Sequence, residues 1–145
     1  MRFGVFLLAA LSLAQTEEQG AALLGSWVSN FSKSQLPAGY QCRRVRLQFA
    51  TVLDTITVGS TFVLSSGQEV RATELFHLDG RPHPGTLNPG VMLSAKWAPP
   101  RKVETAASKD GKDAGVVTYE VSADGKTLTS RYSTTPEQVL VFDRQ

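Results

Sequence analysis

The sequence predicts an all-β protein, an antiparallel up-and-down β-barrel of roughly eight to nine short strands. Apolar residues recur at every second position along most of the chain, which is the period of a half-buried strand. Asp-Gly pairs and a Ser-Ser-Gly segment separate these stretches, as tight hairpin turns require. So many strands must close into a barrel or divide into two sheets to bury one face. A two-sheet sandwich is therefore the alternative architecture.

The first residues have the composition of a secretory signal peptide. Arg2 precedes an apolar run, and Ser12 and Ala14 supply the small residues of a cleavage site. The run is shorter than the roughly 20 apolar residues that a membrane-spanning helix needs; a short buried helix is the alternative. We expect removal of residues 1–14. A single domain over residues 15–145, secreted or periplasmic and without an integral membrane segment, then remains.

The alternation can be followed from strand to strand. A short helical turn is expected within Thr16–Leu24, because Thr16 is a possible N-cap residue. Arg43–Ala50 shows the strand pattern clearly, with one apolar face and one face of arginine and glutamine. The predicted strands are Leu24–Phe31, Arg43–Ala50, Leu53–Leu64, Gln68–Leu78, Val91–Trp97, Arg101–Ser108, Val116–Ser122, Lys126–Tyr132 and Gln138–Asp143.

Glycine and proline mark the connections between these strands. Asp110-Gly111 and Asp124-Gly125 predict tight hairpin turns, because glycine readily adopts the positive φ that such turns need. The segment 79–90 is rich in proline and glycine and cannot be a central strand. We expect it to form a long exposed loop that shapes one entrance of the barrel.

Composition narrows the class of function. The formal net charge is +2 without a basic block, which argues against a nucleic-acid partner. One cysteine and two histidines exclude a disulfide-stapled scaffold and leave too few ligands for a zinc site. The sequence has no nucleophile-elbow, zinc-protease or nucleotide-binding motif. These observations predict no enzymatic activity, no metal and no cofactor.

The chain resembles a known group of barrels. Gly25-Ser26-Trp27 resembles the G-x-W opening of lipocalins and their calycin relatives, and residues 25–34 are similar to the opening of small secreted bacterial lipocalin-like proteins. Later segments are similar in the same order, at 79–82, 122–129 and 139–145. The resemblance implies a calycin barrel and an exported protein, and it implies no catalytic residue.

The resemblance also implies structural roles for Gly25, Trp27 and Arg144. In such barrels the tryptophan packs across the closed end, often beneath a cationic side chain from a late strand. Arg144 is the first candidate for that partner, and Arg131 is the second. A guanidinium on an indole face is held by cation–π attraction, so the pair would close the barrel.

The expected function is binding of a small hydrophobic or amphipathic molecule inside the barrel. The candidate ligand-binding residues are Val70, Ala72, Glu74, Phe76, Tyr119 and Tyr132. Glu74 interrupts an apolar face, and a buried carboxylate is costly unless it is paired. It therefore either orients a polar group of the ligand, or lies at the rim, or is turned outward by a β-bulge. The alternative function is a barrel filled by its own side chains that acts as a protein-interaction module.

Overall fold

Ten antiparallel strands form a nearly closed barrel in the computed structural model, which describes residues 19–133 and 137–145. The strands are β1 (Gly25–Ser29), β2 (Cys42–Val52), β3 (Thr55–Leu64), β4 (Glu69–His77), β5 (His83–Pro84), β6 (Val91–Ala98), β7 (Lys102–Lys109), β8 (Lys112–Val121), β9 (Thr127–Tyr132) and β10 (Gln138–Arg144). Strands adjacent in sequence pair from β1 to β4 and from β5 to β10, and β1 pairs with β10. This topology confirms the predicted up-and-down barrel in place of a sandwich.

The N-terminal elements agree only in part with the expectation. A 3-10 turn at Ala21–Leu23 precedes β1, within the segment where a helical turn was expected, and a second 3-10 turn at Phe31–Lys33 follows β1. The predicted signal peptide, residues 1–14, lies outside the described residues. Within the described residues, no helix has the length and apolar content needed to cross a membrane.

The structure has one strand more than the predicted number. β5 lies within the segment expected to be a loop, and its two residues, His83 and Pro84, pair with Leu93 and Met92 of β6. Proline has no amide hydrogen to donate, so a proline-rich segment predicts a loop unless it can occupy a sheet edge. β5 is such an edge strand, and only its pairing with β6 identifies it.

The β7–β8 hairpin extends further than predicted. Asp110 and Gly111 form its two-residue turn, with φ of 52° and 74°, and Lys109 pairs directly with Lys112. Two consecutive positive φ values are typical of a type I′ turn, which matches the twist of a hairpin. β8 therefore starts at Lys112 and not near Val116, because pairing with β7 extends it through a polar stretch without apolar alternation.

The barrel has a seam between β4 and β5, where strand pairing stops. The Gly80 N–H donates a hydrogen bond of 2.9 Å to the Ala95 carbonyl of β6, across this gap. The segment around β5 carries Pro82, Pro84 and Pro89, none of which has an amide hydrogen for a ladder. Contacts between β4 and this segment therefore depend on side chains and isolated hydrogen bonds.

One end of the barrel, where β1 begins and β10 ends, is filled, and we call it the floor. The side chains packed there are almost inaccessible to solvent: Leu23, Trp27, Val121, Leu128 and Phe142. Full burial of one such side chain stabilises a fold by roughly 1.5–3 kcal/mol. The opposite end, where the β3–β4 and β7–β8 hairpins turn, we call the mouth.

Candidate ligand-binding site

The floor is closed by Trp27 and Arg144. These two residues are register partners on β1 and β10, and the guanidinium carbon lies 4.1 Å from the centroid of the indole ring. The indole N–H donates a hydrogen bond of 2.9 Å to the Leu23 carbonyl. The guanidinium donates hydrogen bonds to three further carbonyls at 2.7, 2.8 and 2.9 Å, those of Gly125, Leu24 and Ala22. The buried indole is thus fixed at its edge and covered on its face.

The second candidate partner, Arg131, does not reach the floor. Residues alternate along β9, so Ser130 and Tyr132 face the interior and Arg131 faces outward. Its guanidinium forms an exposed ion pair with Glu137 at 3.1 Å.

Three aromatic rings fill the interior next to the floor. The Tyr119 ring of β8 lies 5.7 Å from Phe49 of β2 and 5.7 Å from Phe76 of β4, measured between centroids. β8 and these two strands belong to opposite walls, so their rings meet across the barrel. The ligand-binding candidates Phe76 and Tyr119 therefore lie at the bottom of any space that remains above them.

Burial decreases along β4 from the floor toward the mouth. Val70, Ala72, Glu74 and Phe76 share the inward face of this strand, and the exposed fraction rises from 4% at Phe76 to 42% at Val70. The β3–β4 ladder has no register shift, so no bulge turns Glu74 outward. An inward-facing side chain can contact water only through the mouth, the seam or a space inside the barrel.

Most other walls show the same gradient, but β2 does not, because Val45, near its mouth end and opposite Phe62, is 1% exposed. The inward-facing apolar residues near the mouth are only half-buried: Phe62, Leu93, Val117 and Tyr132. The inward-facing residues next to the floor are almost fully buried. The interior is thus filled at the floor and open to solvent at the mouth. We call this open half the mouth hollow.

Glu74 binds backbone amides across the seam. Its Oε1 atom accepts a hydrogen bond of 2.9 Å from the Thr86 N–H, in the segment after β5, and one of 3.1 Å from the Leu75 N–H. Among the described residues, no lysine or arginine forms an ion pair with this carboxylate. Glu74 therefore joins β4 to the loop segment and leaves a negative charge beside the mouth hollow.

A buried hydroxyl without a partner lies between the floor and the mouth. Ser130 is fully buried, and its Oγ atom makes no hydrogen bond with any residue that the structure describes. Its neighbours in the sheet are Tyr119 of β8 and Leu140 of β10, and Tyr132 follows on the same face of β9. An unsatisfied buried hydroxyl costs about 1–3 kcal/mol. The fold therefore tolerates an unfavourable polar group at the base of the hollow.

The three tyrosines of the chain line the interior and its mouth, and all three phenols have raised pKa values. Burial raises the pKa of Tyr119, and the nearby Tyr132 and Glu74 add to the effect. Burial also raises the pKa of Tyr132, against an opposite effect of the Ser130 hydroxyl. Tyr40, whose ring contacts Phe31 edge-on, has its pKa raised to about 12 by burial and by the nearby Cys42 and Tyr132.

We predict that native protein shows almost no phenolate absorbance at about pH 10, where half of free tyrosine is ionised. The folded chain holds these protons more tightly than the unfolded chain. Its stability should therefore not depend on the phenols below about pH 10 and should fall as the pH rises further. Ultraviolet titration of native and urea-unfolded protein measures the difference. Coincident titration curves would contradict the buried placement of the phenols.

The two histidines lie at the seam and not in the hollow. The rings of His77 and His83 stack with their centroids 4.1 Å apart, and His83 Nε2 lies 2.8 Å from an Asp79 carboxylate oxygen. Throughout residues 19–133 and 137–145, no three histidine, cysteine, aspartate or glutamate side chains form a group that could hold a metal ion.

A concavity of about 400 Å³ lies outside the barrel next to the floor. Its walls come from the β2–β3 hairpin, including Thr51 and Asp54, and from residues 77–79. None of the six predicted ligand-binding residues lines it. This surface is therefore separate from the mouth hollow.

Sequence reasoning missed two residues of the site. Ser130 occupies an inward position between Leu128 and Tyr132, so the alternation of β9 could have identified it. Thr86 carries no sequence signal, because its contribution is a backbone N–H placed by the loop.

Comparison with known proteins identifies the fold. No protein-family model matches the chain, and no curated protein matches it in sequence. The fluorescent protein UnaG has a similar structure (TM-score 0.58, 14% identity, 84% of this chain and 96% of that chain). A fatty acid binding protein of Schistosoma mansoni in complex with arachidonic acid is also similar (TM-score 0.58, 11% identity, 88% of this chain and 98% of that chain). The fatty acid transporter REP1-NXSQ is similar as well (TM-score 0.58, 10% identity, 86% of this chain and 99% of that chain). At these identities the likeness shows the fold alone, an up-and-down β-barrel, and does not assign the chain to the lipocalin family.

Proposed function

We propose that this protein is an exported, non-enzymatic binding protein that takes up a small hydrophobic or amphipathic molecule in the mouth hollow. The observation that carries the proposal is the gradient of burial along the inward faces. Apolar side chains are almost completely buried at the floor, yet Val70, Phe62 and Leu93 remain accessible toward the mouth. A barrel packed throughout would bury these positions as well.

The accessible apolar surface supplies a driving force for binding. A ligand that removes on the order of 200–300 Å² of apolar surface from water gains roughly 5–8 kcal/mol before the cost of association is subtracted. The net affinity is weaker than the micromolar to millimolar range that this gain alone would give, because association costs several kcal/mol. Polar groups at the base of the hollow then set orientation and specificity, as is usual in ligand pockets.

The similar structures support the class of ligand. Two of them are described as a fatty acid binding protein and a fatty acid transporter, so barrels of this shape hold apolar chains. Export rests on the composition of residues 1–14, and mass measurement of the protein recovered outside the cytoplasm would test it, with Gln15 as the expected first residue. A chain that keeps residues 1–14 after export would contradict the cleavage site.

Ala72 and Thr73 provide a matched test of the hollow, because they are adjacent on β4 and face opposite sides. We predict that Ala72→Trp weakens the binding of a neutral apolar dye such as Nile red at least tenfold, since the indole would occupy the hollow. Thr73→Trp adds the same side chain to the outer surface and should leave binding unchanged. Dye fluorescence titration measures both variants.

Circular dichroism establishes that both variants fold, and Ala72→Leu is a smaller replacement if Ala72→Trp does not. Equal binding by the two tryptophan variants would place the dye outside the hollow and contradict the proposal. Absence of dye binding by the unmodified protein would favour the alternative of a filled barrel that contacts a protein partner.

A further inference from the structure

A polar atom enclosed beneath the mouth hollow has no hydrogen-bond partner among the described residues. Ser130 is completely buried and faces the interior, and its Oγ atom forms no hydrogen bond of regular geometry with a described residue, although the Tyr132 phenol lies near enough to interact with it. Tyr119 and Tyr132, its neighbours on β8 and β9, carry the other hydroxyls of this region. A hydroxyl can both donate and accept, so this cluster can satisfy an uncharged group of either polarity.

Cations are absent from the same region. We call the outer rim of the mouth the lip. Between the floor and the lip, no lysine or arginine among the described residues occupies an inward-facing strand position. Arg144 is engaged at the floor by Trp27 and three carbonyls. Lys109, at the tip of the β7–β8 hairpin, is exposed and lies at the lip of the mouth. A carboxylate beside Ser130 would therefore have no positively charged partner.

The fixed charge that does face this region is negative. The Glu74 carboxylate accepts two backbone N–H groups and has no cationic partner. It also lies close enough to Tyr119 to add to the raised pKa of that buried phenol. A second anion there would be both desolvated and repelled, whereas a neutral group would be only desolvated.

We propose that the ligand enters with an uncharged hydrogen-bonding group, such as an alcohol or an amide, directed at Ser130, and that carboxylates are disfavoured. This inference rests on the proposed function and specifies the ligand class of the same site. It separates this chain from the similar structures described as carrying fatty acids. The apolar part of the ligand then lies against Phe62, Val70 and Leu93 toward the mouth.

Three ligands with the same alkyl chain test the inference: dodecanol, dodecanamide and dodecanoate, each displacing Nile red at pH 8 below the concentration at which micelles form. We expect the alcohol and the amide to bind at least tenfold more tightly than the carboxylate. Glu74→Gln keeps an oxygen acceptor for the Thr86 N–H but removes the charge. This variant should therefore reduce the ratio between alcohol affinity and carboxylate affinity.

Ser130→Ala should weaken the binding of dodecanol about fivefold, the usual effect of losing one hydrogen bond. Thr129→Ala, an outward-facing change on the same strand, is the control. Ser130→Ala removes an unsatisfied hydroxyl, so the variant should fold at least as stably as the original protein.

Carboxylate binding that equals or exceeds alcohol binding would overturn the inference, and so would an unchanged alcohol affinity in Ser130→Ala. Loss of carboxylate binding in Lys109→Ala would then place the charged end at the lip. If Nile red binds to the original protein but not to Ala72→Trp, these results refute only the proposed ligand class. If nothing binds, the proposed function itself fails.

Discussion

Replacement of Trp27 by alanine is expected to lower the free energy of unfolding by about 3–5 kcal/mol, the usual cost of emptying a large aromatic site in a core. The indole is fully buried, and its N–H and its face are both engaged. Urea denaturation followed by circular dichroism measures the effect. Leu53→Ala is the control, because this side chain is 91% exposed and should change stability by less than about 0.5 kcal/mol.

Arg144→Met, alone and combined with Trp27→Ala, separates the stacking from the packing. The methionine keeps an apolar stem and removes both the cation and the hydrogen bonds to carbonyls. Because the guanidinium lies on the indole, the two changes should not be additive, with a coupling energy of about 0.5–1 kcal/mol. A loss below about 1 kcal/mol for Trp27→Ala would contradict the role of this residue as the centre of the floor.

Gly25→Ala is expected to destabilise the fold by about 1–3 kcal/mol from backbone strain alone. Gly25 has a φ of 114°, which side-chain-bearing residues rarely adopt. A Cβ atom there would also lie 3.1 Å from an Arg144 guanidinium nitrogen, so the cover of Trp27 would have to shift. Denaturant unfolding measures the total effect.

Gly39→Ala is the matched control for this prediction. Gly39 also has a positive φ, of 77°, but no atom of the described residues, apart from its own and those of its two chain neighbours, lies within 4 Å of the position that its Cβ would take. The difference between the two variants therefore reports the crowding at Arg144. If Gly25→Ala were no more destabilising than Gly39→Ala, the position of the Arg144 guanidinium would not depend on the absence of a side chain at Gly25.

The barrel and the residues of its floor follow from local patterns. Alternation of apolar and polar residues identified nine of the ten strands, and two Asp-Gly pairs located the β7–β8 and β8–β9 hairpins. The structure also brings together Trp27 and Arg144, which lie at opposite ends of the domain in sequence. The resemblance to calycin openings suggested that pair, and strand periodicity alone would not have joined the two residues.

The hydrogen-bond partner of Glu74 could not be predicted from its place in the sequence. The alternation along β4 already placed Glu74 on the inward face. The group that it binds, however, is a backbone N–H in a segment expected to be a loop. Backbone donors carry no residue-type signal, so such contacts are invisible before the chain is folded. The same reason explains why β5, with one of its two positions a proline, was expected to be loop.

The amino-acid order alone determined the fold class, the glycine-containing turns and the inward-facing set, because side-chain direction in a strand has a period of two and glycine marks positive φ. It did not determine the β2–β3 turn, where Leu53 adopts a positive φ of 57°. The folded barrel decided how far the interior is filled. Filling depends on rings from opposite walls, Tyr119 against Phe49 and Phe76, meeting across the barrel, and on where that packing stops. A buried hydroxyl without a partner, such as that of Ser130, likewise exists only once neighbouring strands enclose it.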